Sequence, residues 1–209
     1  RADRIPRESD LVHSRAARAS LALLRLATGW IFLWAFPDKT FGLGFSTPID
    51  RAWINGGTPS QGFLLGDSVV GPLKPFFAAI ASPASDVLFM AGMLGIGAAV
   101  MLGIGLRISA VAGTVILVLM YLAEWPFIAD SGSTNPAVDY HIIYALALIV
   151  IATLAAGDTF GFGRPWKHLV RRAPGSPERE RAATVAGKID RPESVVRSKL
   201  SVLSPTAPG

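Results

Sequence analysis

VLFMAGMLGIGAAVMLGIGL, residues 87–106, runs for 20 residues without a charge between Asp86 and Arg107. At a helical rise of roughly 1.5 Å per residue it measures about 30 Å, the thickness of a bilayer's hydrocarbon core. The stretch predicts a membrane-spanning helix. The Gly103-Ile104-Gly105-Leu106-Arg107 joint leads into a second apolar run that starts at Ile108, stays uncharged to Ala123 and continues through Glu124-Trp125-Pro126-Phe127-Ile128. The two runs predict a transmembrane helical hairpin. Two buried helices of a soluble domain are the competing reading. It fails on amount, because a 209-residue chain with two more such runs and a mean hydropathy of +0.43 has too little polar surface to cover that core.

Upstream, Ala19 to Phe36 is apolar apart from Arg25 and is closed by Pro37-Asp38-Lys39. Downstream, a fourth run opens at Asp139, carries His141, and stays uncharged from Ile142 to Gly157, where Asp158 closes it. The expected fold is therefore all-α, a four-helix transmembrane bundle with spans at about 19–36, 87–106, 108–128 and 139–157. Ala91, Gly95, Ala99 and Gly103 recur every four residues, and Ser109 and Gly113 begin a similar stripe. Small residues at this spacing let a neighbouring backbone approach closely, so these six are the expected helix-packing positions. Residues 38–85 form a long first loop full of turn signals. A structureless loop of that length is improbable, so short interfacial helices are expected in it. One follows Thr47-Pro48 and ends near Gly56; one starts at the capping-box pattern Thr58-Pro59-Ser60-Gln61; one is Lys74 to Ile80. Phe63, Leu64, Leu65, Val69, Val70, Phe76 and Phe77 are their expected membrane-facing side chains.

Charge placement sets the topology. Of 20 Lys and Arg residues, five Arg lie in residues 1–18 and ten Lys or Arg in 164–209, whereas Asp38, Asp50, Asp67, Asp86, Glu124 and Asp130 lie in the other loops. By the positive-inside rule both termini are cytoplasmic, which four spans require. The chain thus reads as a basic N-terminal segment 1–18, a membrane domain 19–166 and a basic tail 167–209. Basic residues confined to flanking tails argue for membrane surface and against nucleic acid. Residues 173–209 are rich in Pro, Ser and Arg without a helical or strand period, and such a tail orders only on another surface, here a partner subunit.

The absence of cysteine excludes disulfides, iron-sulfur clusters and thiol chemistry within this chain. No metal site is expected, and three His with only one at membrane depth do not make a bis-histidine haem site. Chemistry would sit at ionisable residues near the membrane, which are costly there without a partner. Arg25 can snorkel, pair with Asp158, or hold a quinone or an anionic group. Tyr121 and Glu124 share one helix face, as do His141 and Tyr144. Packed together they would form an outer pocket able to hydrogen-bond a quinone carbonyl and move its protons. Alternatively, Glu124, Asp139 and His141 only mark helix ends at the headgroups.

The Leu24-Arg25-Leu26-Ala27-Thr28-Gly29-Trp30-Ile31-Phe32-Leu33 start, the Gly103-Ile104-Gly105-Leu106-Arg107 turn, His141-Ile142-Ile143-Tyr144-Ala145-Leu146 and the Gly157-Asp158 close resemble the DoxX/DoxD family of small bacterial membrane proteins. The loop Ala52-Trp53-Ile54-Asn55-Gly56-Gly57-Thr58-Pro59-Ser60-Gln61-Gly62-Phe63-Leu64 is similar to the longer, actinobacterial DoxD-like members. The resemblance covers about residues 19–166. It implies a multi-pass protein of the bacterial cell membrane, associated with redox complexes and with menaquinone or another membrane quinone. The function expected is an accessory, structural subunit of a quinone-linked respiratory or redox assembly, not a complete enzyme alone. The alternatives are a DoxD-like quinone-reducing subunit of a thiosulfate:quinone oxidoreductase, with Glu124 and His141 as catalytic candidates and Arg25 beside them, and a small-molecule carrier. Charges near helix ends, not at the midplane, count against the carrier.

Overall fold

The computed structural model describes residues 6–133 and 135–172. Residues 1–5 and the tail 173–209, expected to dock on a partner, lie outside the described residues. Among the described residues every regular element is helical: α1 (Glu8–Leu11), α2 (Arg15–Phe41), α3 (Gln61–Leu64), α4 (Lys74–Ile80), α5 (Pro83–Leu102), α6 (Leu106–Glu124), α7 (Tyr140–Thr153) and α8 (Gly163–Arg172). Single 3-10 turns lie at Ile49–Arg51, Trp53–Asn55 and Ala129–Ser131. The chain divides into two units, Arg1–Trp166 and Lys167–Gly209. Of the second, residues 167–172 are described, as the end of α8.

Helices α2, α5 and α6 are long and apolar enough to cross a membrane. With 27, 20 and 19 residues they measure about 40, 30 and 28 Å. Helix α7 is apolar but has only 14 residues, about 21 Å, so the helix expected over 139–157 is cut short. Its end has a backbone cause. Ala155 turns left-handed (φ 52°), and the Ala155 and Ala156 amides donate to the Ala152 and Ile151 carbonyls at 3.3 and 3.0 Å. This is the Schellman closure that glycine usually makes.

The other boundaries also move. Helix α2 starts at Arg15, where the Ser14 hydroxyl caps the Ala17 amide, and it runs straight through Pro37, the expected stop. It continues because Asp38 is committed inward: the carboxylate is 1% exposed and accepts the Phe45 and Ser46 amides and the Ser46 hydroxyl at 3.2, 3.1 and 2.6 Å. The helix ends instead at left-handed Gly42 (φ 66°). Helix α5 begins four residues before Val87, with Pro83 in the first turn and a Ser82–Ser85 capping box. Asp86, read as a loop charge, therefore sits in the first turn of α5 and is buried. It accepts the Ser60 amide, the Gln61 amide and the Ser60 hydroxyl at 2.7, 2.9 and 2.8 Å, and the Gln61 side-chain amide as well. Gln61 thus serves Asp86 and not the capping box expected with Thr58. Helix α6 stops at Glu124, short of Ile128, because Trp125 is left-handed (φ 43°) and Pro126 follows.

The four longest apolar helices pack in a ring, α2 on α5, α5 on α6, α6 on α7 and α7 on α2. Phe32, Met93, Ile96, Val100, Ala110, Leu117, Ala145 and Leu148 fill its core. Ile108, Leu88 and Val111, 77, 75 and 68% exposed, stand on the outside, an apolar surface suited to lipid. The first loop builds a second cluster. Val69 and Phe77, expected to face the membrane, are buried there with Ala123, while Leu65 and Phe76 are exposed.

Small residues do bring helices together, but on a different stripe from Ala91–Gly95–Ala99–Gly103. Ala91 and Gly95 are exposed, and a Cβ on Gly95 would meet nothing within 4 Å. The close approach is made by Gly97, whose missing Cβ leaves room for the Leu33 backbone, and by Gly29, where a Cβ would lie 2.9 Å from the Met101 amide nitrogen. Of the expected stripe, Gly103 does make a close approach, a Cβ there lying 2.8 Å from the Gly157 Cα, and it is also the left-handed cap of α5 (φ 74°). On α6, Ser109 and Gly113 are buried, Gly113 against Leu148, Ile96 and Phe32. Replacing Gly97 by Leu should therefore lower thermal stability in detergent by roughly 1–3 kcal/mol or more, the usual cost of overpacking. Gly95→Leu should change it little, and equal losses in the two variants would contradict this packing.

Candidate functional site

The end of α6 and the start of α7 bring the aromatic and ionisable residues together. Asp139 is the N-cap of α7: its Oδ1 accepts the His141 and Ile142 amides at 3.0 and 3.3 Å. Its Oδ2 lies 2.7 Å from Nδ1 of His141. One carboxylate thus starts the helix and orients the imidazole, which shares the inner face of α7 with Ala145, Leu148 and Ile151. His141 is 1% exposed. Glu124, at the end of α6, places Oε2 4.0 Å from the same Nδ1 and accepts the Tyr140 hydroxyl at 3.3 Å on Oε1. The Tyr140 ring lies against the imidazole, centroids 4.0 Å apart.

This geometry fixes the chemistry of the ring. The carboxylate can only accept, so Nδ1 keeps its proton and donates the hydrogen bond, and in the neutral imidazole the lone pair is on Nε2. Nε2 is buried and, among the described residues, has no hydrogen-bond partner. A buried polar atom left in this state costs free energy that a ligand donor would recover. On the Nδ1 side, Glu124, Asp139 and His141 each offer an atom within 4.8 Å of the others, a spacing that suits a small cation. A cation there would have to replace the bond that already satisfies Nδ1 and Oδ2.

Of the residues singled out in the sequence, Glu124 and His141 come together as expected. Tyr121 does not join them: its hydroxyl donates to the Ala137 carbonyl at 2.8 Å and ties down the loop before α7. Tyr144 reaches the group through the Tyr140 ring, 5.9 Å away, and otherwise packs on the core. Asp139 and Tyr140 belong by sequence to the same outer group, but their roles, as orienter and as the ring against the imidazole, are seen only in the structure. An Asp two residues before a His at a helix start was the available signal for the first.

Arg25 belongs to the opposite end of the ring. It is fully buried and neither snorkels nor joins Glu124 and His141 around a ligand. Nη1 donates to the Val100 and Met101 carbonyls at 3.3 and 3.1 Å, and Nη2 to the Thr159 and Phe160 carbonyls at 3.4 and 2.7 Å. The first pair are last-turn carbonyls of α5, of which Val100 also accepts the Gly103 amide at 3.1 Å. Beside them, the Glu8 amide donates to Asp158 Oδ2 at 3.0 Å and the Thr159 amide to Glu8 Oε2 at 2.8 Å. Asp158 thus faces α1. Glu8, 0% exposed, carries no sequence signal of this role.

No family model, curated protein or solved structure matches the chain. Arg25→Met should remove a donor from four carbonyls, of which Val100 keeps the Gly103 amide, and cost roughly 2 kcal/mol or more, read as a lower unfolding temperature in detergent. Arg25→Lys should recover only part of it, since an ammonium cannot bridge both carbonyl pairs as the planar fork does. A wild-type melting temperature in Arg25→Met would refute the cap.

Proposed function

We propose that the chain is an integral subunit of a quinone-linked redox assembly in a bacterial membrane, with a proton-handling site at His141. The observation that carries this reading is the imidazole held by Asp139 at Nδ1 while Nε2 stays buried and, among the described residues, unpartnered. A buried acceptor facing away from its orienting carboxylate fits the hydroxyl of a quinol head, and the same nitrogen, once protonated, fits the carbonyl of the quinone; that head supplies two-electron, two-proton chemistry when bound. His141 would hold that head at Nε2 and take or return one proton there. Asp139 would keep the ring in place and offset the imidazolium charge, and Glu124, joined to the Tyr140 hydroxyl, would stand as the second carboxylate toward Nδ1.

The order of motifs resembling the DoxX/DoxD family supports a four-span arrangement. In it α7 with the Leu154–Gly157 turn serves as the fourth crossing, and both termini are cytoplasmic. Arg7, Arg15, Arg18 and Arg107 lie toward the Arg25 end and the acidic site toward the other, which supports that orientation. Partner subunits would supply the rest of the reaction. A thiosulfate:quinone oxidoreductase is one such assembly, and without cysteine in this chain the sulfur chemistry would fall to the partner.

The test is gentle-detergent purification of the tagged chain from native membranes, with protein mass spectrometry and extraction of bound quinone. Wild type should carry redox-enzyme subunits and near-stoichiometric menaquinone or another membrane quinone. His141→Leu should keep the subunits and lose quinone at least about tenfold, the order expected for one hydrogen bond to a buried group. Asp139→Asn, which keeps the cap, should lose less. Wild type without quinone, or equal quinone in His141→Leu, would overturn the reading.

A further inference from the structure

A cavity of about 230 Å³ opens among the end of α2, the short helices α3 and α4, and the facing turns of α5 and α6. Phe63, Phe77, Phe89, Ile116 and Met120 form its walls. Leu88 and Leu119, also lining it, are 75 and 38% exposed, so it opens sideways onto the apolar outer surface. Sites that enclose a whole drug-sized ligand measure roughly 300–1,000 Å³. This one suits a small head and the first part of a chain, with the remainder lying outside along Leu88 and Leu119.

Among the described lining residues, Lys39 alone carries a charge. Ser60 and Ser85, also on the wall, spend their hydroxyls on Asp86, on each other and on the Ser82 carbonyl. The Lys39 ammonium has no hydrogen bond or ion pair among the described residues. Asp38 precedes it but points about 100° away around the helix, with its oxygens on Phe45 and Ser46. Asp38 is thus the nearby counter-charge of Lys39, but one already committed to other donors, and an anion entering from the side would add the direct partner that a cation beside apolar walls favours.

We propose that this pocket seats the carboxylate head of a single-chain amphiphile of the fatty-acid class, with Lys39 as its counter-charge. The charge of the head decides the class: a neutral quinone or alcohol would fill the same walls and give the ammonium no direct anionic partner. The site is separate from His141, and its occupant needs no redox chemistry.

The full chain, in nanodiscs of phosphatidylcholine, would be photolabelled with a diazirine-bearing palmitate. Saturable labelling should map to peptides around Phe63 or Met120 and should be displaced by oleate much better than by oleyl alcohol or menaquinone. Lys39→Met should weaken labelling about tenfold, as loss of one charge-assisted contact predicts, and Lys39→Arg should retain it. Gel filtration would establish that both variants are folded. Equal labelling in Lys39→Met, displacement by oleyl alcohol as strong as by oleate, or displacement by menaquinone alone would each overturn the proposal.

Discussion

A guanidinium surrounded by carbonyl oxygens holds one end of this molecule together. Arginine placed inside an apolar helix costs roughly 2.5–3.5 kcal/mol on insertion scales. Here the charge is met by the ends of two other segments, each of which needs donors. Helix α5 closes its last turn only in part, through the Gly103 and Ile104 amides on Val100 and Ala99 and the Phe162 amide on Leu102. The turn after α7 presents two more carbonyls. Arg25 of α2 supplies both pairs, so three segments distant in sequence are fixed at one point. The close approach of Gly157 to Gly103 follows from the same point, since a Cβ on Gly157 would strike the Gly103 carbonyl.

The two ends of the ring are built from different materials. At the Arg25 end, backbone carbonyls, glycines and the bonds of the Glu8 amide to Asp158 and the Thr159 amide to Glu8 leave little chemistry to spare. At the other end side chains do the joining: Asp139 to His141, Tyr140 to Glu124, Asp86 to Ser60 and Gln61. Side-chain bonds can be remade around a ligand with less disturbance than backbone bonds. That asymmetry is why the His141 group, and not Arg25, is the place to look for chemistry.

Much of the architecture was legible in the run 87–129, because span length and uncharged composition are properties of the sequence itself. The joint at Gly103 and helix 74–80 could be read from glycine and proline alone. Boundaries were harder wherever tertiary bonds overrode local signals. Pro37 and Asp38 read as a stop, yet the loop returned to satisfy Asp38 and the helix went on. Ala155 took a conformation no residue type announced. The packing stripe was misread by two residues, since Ala91–Gly95 and Gly97 lie on one glycine-rich helix and only the partner's position distinguishes them. At the site, Glu124 and His141 were visible as ionisable residues in apolar runs. The separation of Arg25 from them was not, because it depends on which helix ends lie together.

The two glycine contacts between α2 and α5 have a mechanical meaning. Gly29 faces Met101 and Gly97 faces Leu33, so each contact lies four residues, about one turn, from the other on both antiparallel helices. Such a pair works like a ratchet with a single usable tooth. Sliding by less than a turn drives side chains into backbone, and a full turn, about 5.4 Å, carries Arg25 away from the Val100 and Met101 carbonyls. Axial travel between these helices is closed off, which leaves tilting about the glycine contacts as the motion by which the far end can widen.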